Sequence, residues 1–217
     1  MDDGEPRQAL AELYRALGRH GLIAGSSGNV SLRIPEGMLI TPSGGSPDST
    51  GGEALVPARL DGSVLGGAQP GAVPSSEWHM HARIYGDRAD AQCIVHAHSD
   101  ACTALACLGE RLPPFHYMIA NFGGDDVRCA PYVTFGTEAL AAAAMRALEG
   151  RSACLLANHG MVLHAGSAAG ALRSALLLES LARQYLLARA AGPLRLLTDA
   201  EMRDAHIRFR SYDAGLG

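Results

Sequence analysis

Three short apolar runs constrain this chain more than any other feature. Cys93-Ile94-Val95, Ala153-Cys154-Leu155-Leu156-Ala157 and Met161-Val162-Leu163 are each too short for a stable helix. They are dense in aliphatic side chains and bounded by polar or turn residues, the pattern of buried strands. The first run continues as His96-Ala97-His98, and the other two flank Asn158-His159-Gly160. Any fold for this chain therefore carries histidines at the ends of its most buried strands.

Around these runs the apolar spacing switches to the helical period. Leu10, Leu13, Tyr14 and Leu17 predict a helix from Glu5 to about His20, stopped by Gly21. Further helices are predicted over Ser75–Tyr85, Asp100–Leu108, Thr137–Leu148 with Thr137 as its cap, Ser167–Ala191 and Asp199 to about Tyr212. Thr198-Asp199-Ala200-Glu201 is a capping box for the last of these. Val30–Ile34 and Met38–Thr41 read as a hairpin about Pro35-Glu36-Gly37. Ser43–Ser76 is crowded with Gly, Pro and Ser. It reads as an excursion within one domain, with short strands at Ala54–Val56 and Ala58–Leu65 around Asp61-Gly62. Pro113–Phe135 is expected to be irregular, with strand-like fragments. Strands and helices interleave without a strict βα rhythm. The expected class is α/β (α+β-like), one domain over residues 1–217, with a mixed or antiparallel sheet and helices on its faces.

Composition narrows the function classes. Hydrophobic residues make up 47% and charged residues 18% of 217 positions, values of a globular chain. With 18 basic and 22 acidic residues the net charge is −4, which leaves no basic stripe for a nucleic-acid backbone. The long apolar stretch Ala168–Ala191 is interrupted by Arg173, Glu179, Arg183 and Arg189, so it reads as a core-facing helix rather than a membrane span. Five scattered cysteines without a C-x-x-C pair argue against a disulfide framework and suit a reducing compartment. Met1-Asp2-Asp3-Gly4-Glu5 is acidic and lacks an apolar run, so a cytoplasmic location is expected.

His96-Ala97-His98 is the sharpest chemical signal. Alternate residues of a strand face the same way, so the two imidazoles can converge on one metal ion; alone, the pair also suits two hydrogen-bonded histidines near a sheet end. His79-Met80-His81 is a useful contrast, because residues two apart on a helix diverge by about 200°. It should not share a metal. An open catalytic site needs a third ligand, and His159, beside Gly160 at a strand end, is the best candidate. His20, His116, His164 and His206 carry no second feature. Ser75-Ser76-Glu77 can be read as a helix start, or as hydroxyls and free N–H groups that hold a phosphate beside a carboxylate. Gly25-Ser26-Ser27-Gly28-Asn29 and Thr41-Pro42-Ser43-Gly44-Gly45 are turns or phosphate cradles, and neither matches a P-loop or dinucleotide fingerprint.

Taken in order along the chain, these segments resemble the class II aldolase/adducin family. The resemblance is carried by Gly28-Asn29-Val30-Ser31, Met38-Leu39-Ile40-Thr41-Pro42-Ser43-Gly44, Pro74-Ser75-Ser76-Glu77-Trp78, Val95-His96-Ala97-His98, His116-Tyr117-Met118-Ile119-Ala120, Cys129-Ala130-Pro131-Tyr132, Thr134-Phe135-Gly136-Thr137 and Asn158-His159-Gly160. It departs in the stretch from Gly44 to Pro74 and at His79.

The resemblance implies a central, mainly antiparallel sheet flanked by helices, and a homotetramer with active sites between subunits. It implies one Zn²⁺ per subunit on His96, His98 and His159, with Glu77 near or on the metal. A small phosphorylated sugar would be the substrate, its phosphate held by Gly28, Asn29, Ser43, Gly44, Ser75 and Ser76 with Ser26 close by. Glu77 and Tyr117 would be catalytic, Tyr117 reaching into a neighbour's site as a proton donor, and Tyr212 would close over it. The implied reaction is retro-aldol cleavage of a ketose 1-phosphate, such as L-fuculose 1-phosphate, to dihydroxyacetone phosphate and an aldehyde. The enediolate it leaves suits a Lewis-acid metal and a carboxylate base. Relatives on the same scaffold act as decarboxylases, 4-epimerases or dehydratases. The epimerases tend to carry Asp where Glu77 stands, and the non-catalytic adducin-like assembly module lacks the three histidines.

Overall fold

A computed structural model describes residues 4–214, with side chains through Ser211. Its centre is a seven-stranded sheet built from β1 (Gly28–Ile34), β2 (Gly37–Ile40), β3 (Val56–Ala58), β4 (Cys93–Ala97), β5 (Cys129–Ala130), β6 (Ala153–Leu156) and β7 (Gly160–Ala165), in the order β3-β2-β1-β4-β7-β6-β5. Every pairing is antiparallel except β5 with β6. The expected mainly antiparallel sheet is what forms, and the histidine-bearing apolar run is its middle strand.

Strand alternation sorts the side chains into two cores. Val30, Val95, Ala97, Leu155 and Leu163 face one way, against α1 (Gly4–Arg19), α3 (Asp100–Cys107) and α5 (Ala168–Ala191), with Met202 of α6 (Asp199–Ala214). Met38, Ile40, Ile94, Cys154 and Val162 face the other way, against α2 (Trp78–Asp87) and α4 (Glu138–Ala147). Asn29 pairs with His96, and His96 with Val162, so Asn29 and His96 belong to the α2 side. Burial on both faces explains why the runs lack polar alternation.

The register also gathers the loops. Because neighbours run antiparallel, β1 and β7 begin where β2, β4 and β6 end. The segments around Gly28, Thr41, His98 and His159 therefore share one edge of the sheet.

Local signals account for the starts of the last three helices, α4, α5 and α6. Thr137 accepts from the Leu140 N–H, Ser167 accepts from Gly170, and Thr198 and Glu201 exchange the reciprocal bonds of a capping box. The excursion after Ser43 differs in part. Gly52–Ala54 is a 3-10 turn, not strand, and pairing begins at Val56. The Asp61-Gly62 turn does form, with Ala58 bridged to Val64. Helix α2 has no side-chain cap from its N-cap residue Glu77; Ser75 Oγ accepts from the Glu77 N–H at 3.4 Å, which leaves the Ser76 hydroxyl unspent on capping. Pro113–Phe135 holds a 3-10 turn at Tyr117–Phe122 and the two-residue β5.

Candidate metal centre and substrate cleft

His96 is the last outward residue of the middle strand on the α2 side, and it is fully buried. Its Nδ1 lies 2.8 Å from the Met161 carbonyl. A carbonyl oxygen only accepts, so Nδ1 carries the hydrogen and Nε2 turns to the cluster, the usual bracing of a metal-binding imidazole. His98 stands one residue beyond the strand, where α3 begins. That helix start is tied to α5 by Glu179, whose carboxylate accepts from the N–H groups of Ala101 and Cys102 at 2.8 and 2.9 Å. His159 sits in the tight β6–β7 turn, where Asn158 adopts the left-handed conformation (φ 54°) and the His159 N–H closes on the Leu156 carbonyl.

The three rings meet edge to face, with centroids 4.7–4.8 Å apart. His96 Nε2 and His98 Nε2 are 2.9 Å apart. Glu77 completes the group, its Oε2 3.0 Å from His96 Nε2 and its Oε1 3.4 Å from His159 Nε2. All four ligand atoms lie within 4.8 Å of one another. Two glycines permit this crowding. A Cβ on Gly160 would stand 2.5 Å from the Ala97 carbonyl oxygen and 2.9 Å from the His98 ring, and one on Gly28, at φ 143°, would stand 2.8 Å from the His96 carbonyl oxygen.

Burial and then the charge of His96 push His98 and His159 down to about 4, against the opposing pull of Glu77. Burial alone would raise the Glu77 carboxyl. The neighbouring imidazoles of His96 and His159 and the Asn29 amide outweigh it, and hold Glu77 well below the ordinary carboxylate range. The group thus offers neutral imidazoles at His98 and His159 beside an ionised carboxylate. Glu77 Oε1 is buried with no hydrogen-bond partner. Nitrogen and oxygen donors so arranged fit a divalent cation.

A cavity of about 340 Å³ opens beside this cluster, large enough for a small substrate. Ser26, Gly28, Asn29, Ser43, Gly44, Ser75 and Ser76, the residues expected at the phosphate, all line it together with Glu77, His98 and His159. Ser26, Ser43 and Ser76 have no side-chain hydrogen bond among the described residues. Tyr132 and Phe135 form an exposed aromatic rim. Tyr14, read from sequence only as part of the helical spacing of α1, ties two of the loops together: its hydroxyl donates to the Gly45 carbonyl at 2.9 Å and stands 3.4 Å from that of Gly28.

Tyr117 does not line this cleft. It is 53% exposed and stacks on His116 and on Phe209 of α6. The Tyr212 side chain lies outside the described residues. His79 and His81 diverge as expected. His79 stacks on Trp78, while His81 is fully buried against Asn29 and Ser31. His81 was missed as a site residue, although its spacing of four from Glu77 puts both on one face of α2.

The site is a candidate metal centre beside a small-molecule cleft on a mainly antiparallel sheet, and comparison with known proteins gives its family. A family model described as Class II Aldolase and Adducin N-terminal domain matches residues 8–186. The chain belongs to that family. It is 40% identical over 213 residues to the L-fuculose phosphate aldolase of Escherichia coli (strain K12), covering 98% of this chain and 97% of that one. It is 38% identical over 206 residues to the 5-methylthioribulose-1-phosphate/5-deoxyribulose-1-phosphate aldolase of Rhodospirillum rubrum, covering 95% and 91%. A solved L-fuculose 1-phosphate aldolase superposes with a TM-score of 0.90 at 38% identity, covering 95% of this chain and 96% of the other. These likenesses support a lyase of the class II aldolase family. Such enzymes generally use a divalent metal and act on phosphorylated sugars. Among the described residues no helix is long and apolar enough to cross a membrane.

Proposed function

We propose that this chain is a zinc-dependent aldolase that cleaves a ketose 1-phosphate to dihydroxyacetone phosphate and an aldehyde. The observation that carries the reading is the convergence of His96, His98, His159 and Glu77 on one wall of a cleft whose other wall is built of glycine and serine loops. His96, His98 and His159 hold the zinc, with Glu77 on or beside it. When bound, the zinc supplies a Lewis acid that withdraws charge from the substrate's carbonyl and neighbouring hydroxyl oxygens.

The chain's own residues do the rest. Ser26, Gly28, Asn29, Ser43, Gly44, Ser75 and Ser76 seat the phosphate through hydroxyl, amide and backbone N–H groups, no arginine lining the cleft among the described residues. All 18 basic residues of the chain are arginine, so no lysine amine is present to form a Schiff base with the ketose. Glu77 moves the proton at the dihydroxyacetone phosphate carbon that held the broken bond. Tyr117, remote from the cleft of its own chain, serves the cleft of a neighbouring subunit. There its phenol donates to the aldehyde oxygen in condensation, and the same contact takes up the hydroxyl proton in cleavage. The assembly is a homotetramer with sites between subunits, each subunit one domain over 1–217, working in the cytoplasm.

Relatives named for different ketose 1-phosphates make the aldehyde part the open variable. Zinc-loaded protein is therefore assayed against a panel that includes L-fuculose 1-phosphate and 5-deoxyribulose 1-phosphate, with released dihydroxyacetone phosphate as readout. Release from at least one member is expected, and Glu77→Gln should lower it by at least about 100-fold while zinc stays bound. No release from any member, with carbon dioxide loss from a phosphorylated keto acid or epimerisation of a pentulose phosphate instead, would replace the aldolase reading by another reaction of the scaffold.

A further inference from the structure

A continuous polar chain runs through the interior toward Glu77. Glu77, His81 and Tyr85 stand four apart, so they share one face of α2, and Asn29 and Ser31 share one face of β1. Where the faces meet, Tyr85 OH lies 2.9 Å from Ser31 Oγ and Ser31 Oγ 2.7 Å from His81 Nδ1. His81 Nε2 lies 2.6 Å from Asn29 Oδ1, and Asn29 Nδ2 lies 3.0 Å from Glu77 Oε2. Ser31 and His81 are 0% exposed and Glu77 only 7%, so water does not substitute for any link.

The direction of every bond follows from one end. An ionised carboxylate only accepts, so Asn29 must turn its NH₂ to Glu77. Its Oδ1 then faces His81 and can only accept, so His81 Nε2 carries the hydrogen. Burial keeps this imidazole neutral, its pKa pushed down to about 3, which leaves Nδ1 as an acceptor. Ser31 therefore donates to His81, and its oxygen accepts from Tyr85. Arg33 secures the far end: it lies 4.7 Å from the Tyr85 ring centroid and donates to the carbonyls of Tyr85, Arg88 and Ala91.

We propose that His81 is a positioning residue, which pins the Asn29 amide in the one orientation that donates to Glu77 and so holds that carboxylate turned toward the three histidines. The proposal rests on the acid–base role given to Glu77 above. An amide rotated by half a turn would set its oxygen against the carboxylate and replace attraction with repulsion.

The test combines a spectroscopic readout with kinetics on the metal-loaded full chain. By ¹⁵N-histidine NMR, His81 (identified by the signal lost in His81→Gln) is expected as the neutral Nε2–H tautomer, unchanged across the neutral pH range. His81→Phe fills the space without hydrogen bonds, and kcat should fall at least about tenfold with KM and metal content at wild-type values. His81→Gln, whose amide N–H replaces Nε2–H, should recover most of that loss. A wild-type kcat in His81→Phe, no recovery in His81→Gln, or an Nδ1–H tautomer in the wild type overturns the proposal. A wild type that cleaves no ketose 1-phosphate refutes the proposed reaction instead, and the tautomer then decides the pinning claim alone. The same NMR result decides it if His81→Phe fails to fold.

Discussion

Gly160→Ala is a one-methyl test of how the sheet presents its ligands. The added Cβ would meet the Ala97 carbonyl oxygen at 2.5 Å and His98 Cδ2 at 2.9 Å. Both belong to β4 or the residue just past it, so the strain falls on the pairing of β4 with β7 and on one metal ligand. Restoring an ordinary contact of about 3.5 Å requires a shift of roughly 1 Å. Catalytic constellations tolerate displacements of only about 0.5 Å, so His98 leaves its place. Overpacking of this kind costs about 1–3 kcal/mol, which for a chain of this size lowers Tm by roughly 2–12 °C. Metal affinity should fall at least about tenfold, as for lost support around a ligand. Gly166→Ala is the control, because nothing lies within 4 Å of its Cβ. Thermal unfolding with and without metal, together with elemental analysis, reads both effects. A Gly160→Ala protein with the Tm and metal content of Gly166→Ala would refute the packing argument.

Three further outcomes are expected. His96→Ala, His98→Ala and His159→Ala should each lose stoichiometric metal by elemental analysis while His79→Ala keeps it; full metal in any of the first three removes that residue from the site. In the metal-free protein, His98 and His159 at about 4 and His81 at about 3 lie below the unfolded-chain value of about 6.5. The unfolded chain therefore binds more protons between those values, and stability should be full above about pH 6.5 and fall as pH drops toward 4; a Tm flat across that interval contradicts the shifts. Tyr117→Phe and Glu77→Gln, each expected to be inactive, should regain activity when mixed under subunit exchange, and hybrid oligomers without activity would place both residues in one chain or remove Tyr117 from the reaction.

The strands were legible because burial on both faces leaves an uninterrupted apolar signature, and Cys93–Ala97, Ala153–Leu156 and Gly160–Ala165 fell close to their expected spans. The histidines were legible because strand alternation is rigid enough to predict that His96 and His98 meet. Ala54–Val56 misled because Leu55 and Val56 are apolar for different reasons, Leu55 facing the α1 side and Val56 the α2 side, after the 3-10 turn has ended. The serines before α2 looked like caps, since local spacing cannot reveal that they face a cleft. Tyr14, Ser31, His81 and Tyr85 were not singled out as site residues because their partners are 14 to 54 positions away. Only the packing of α1 and α2 against β1 brings those groups together. The 77–81–85 spacing was the one local hint.

The central claim is that the three histidines and Glu77 hold a metal that the cleavage requires. Titrating zinc back into chelator-stripped wild-type protein, while following dihydroxyacetone phosphate release from the best ketose 1-phosphate, tests it most directly. No release is expected from the stripped protein, followed by a linear rise that saturates at one metal per chain. Release that survives stripping, or that does not return as zinc fills the site, would contradict it.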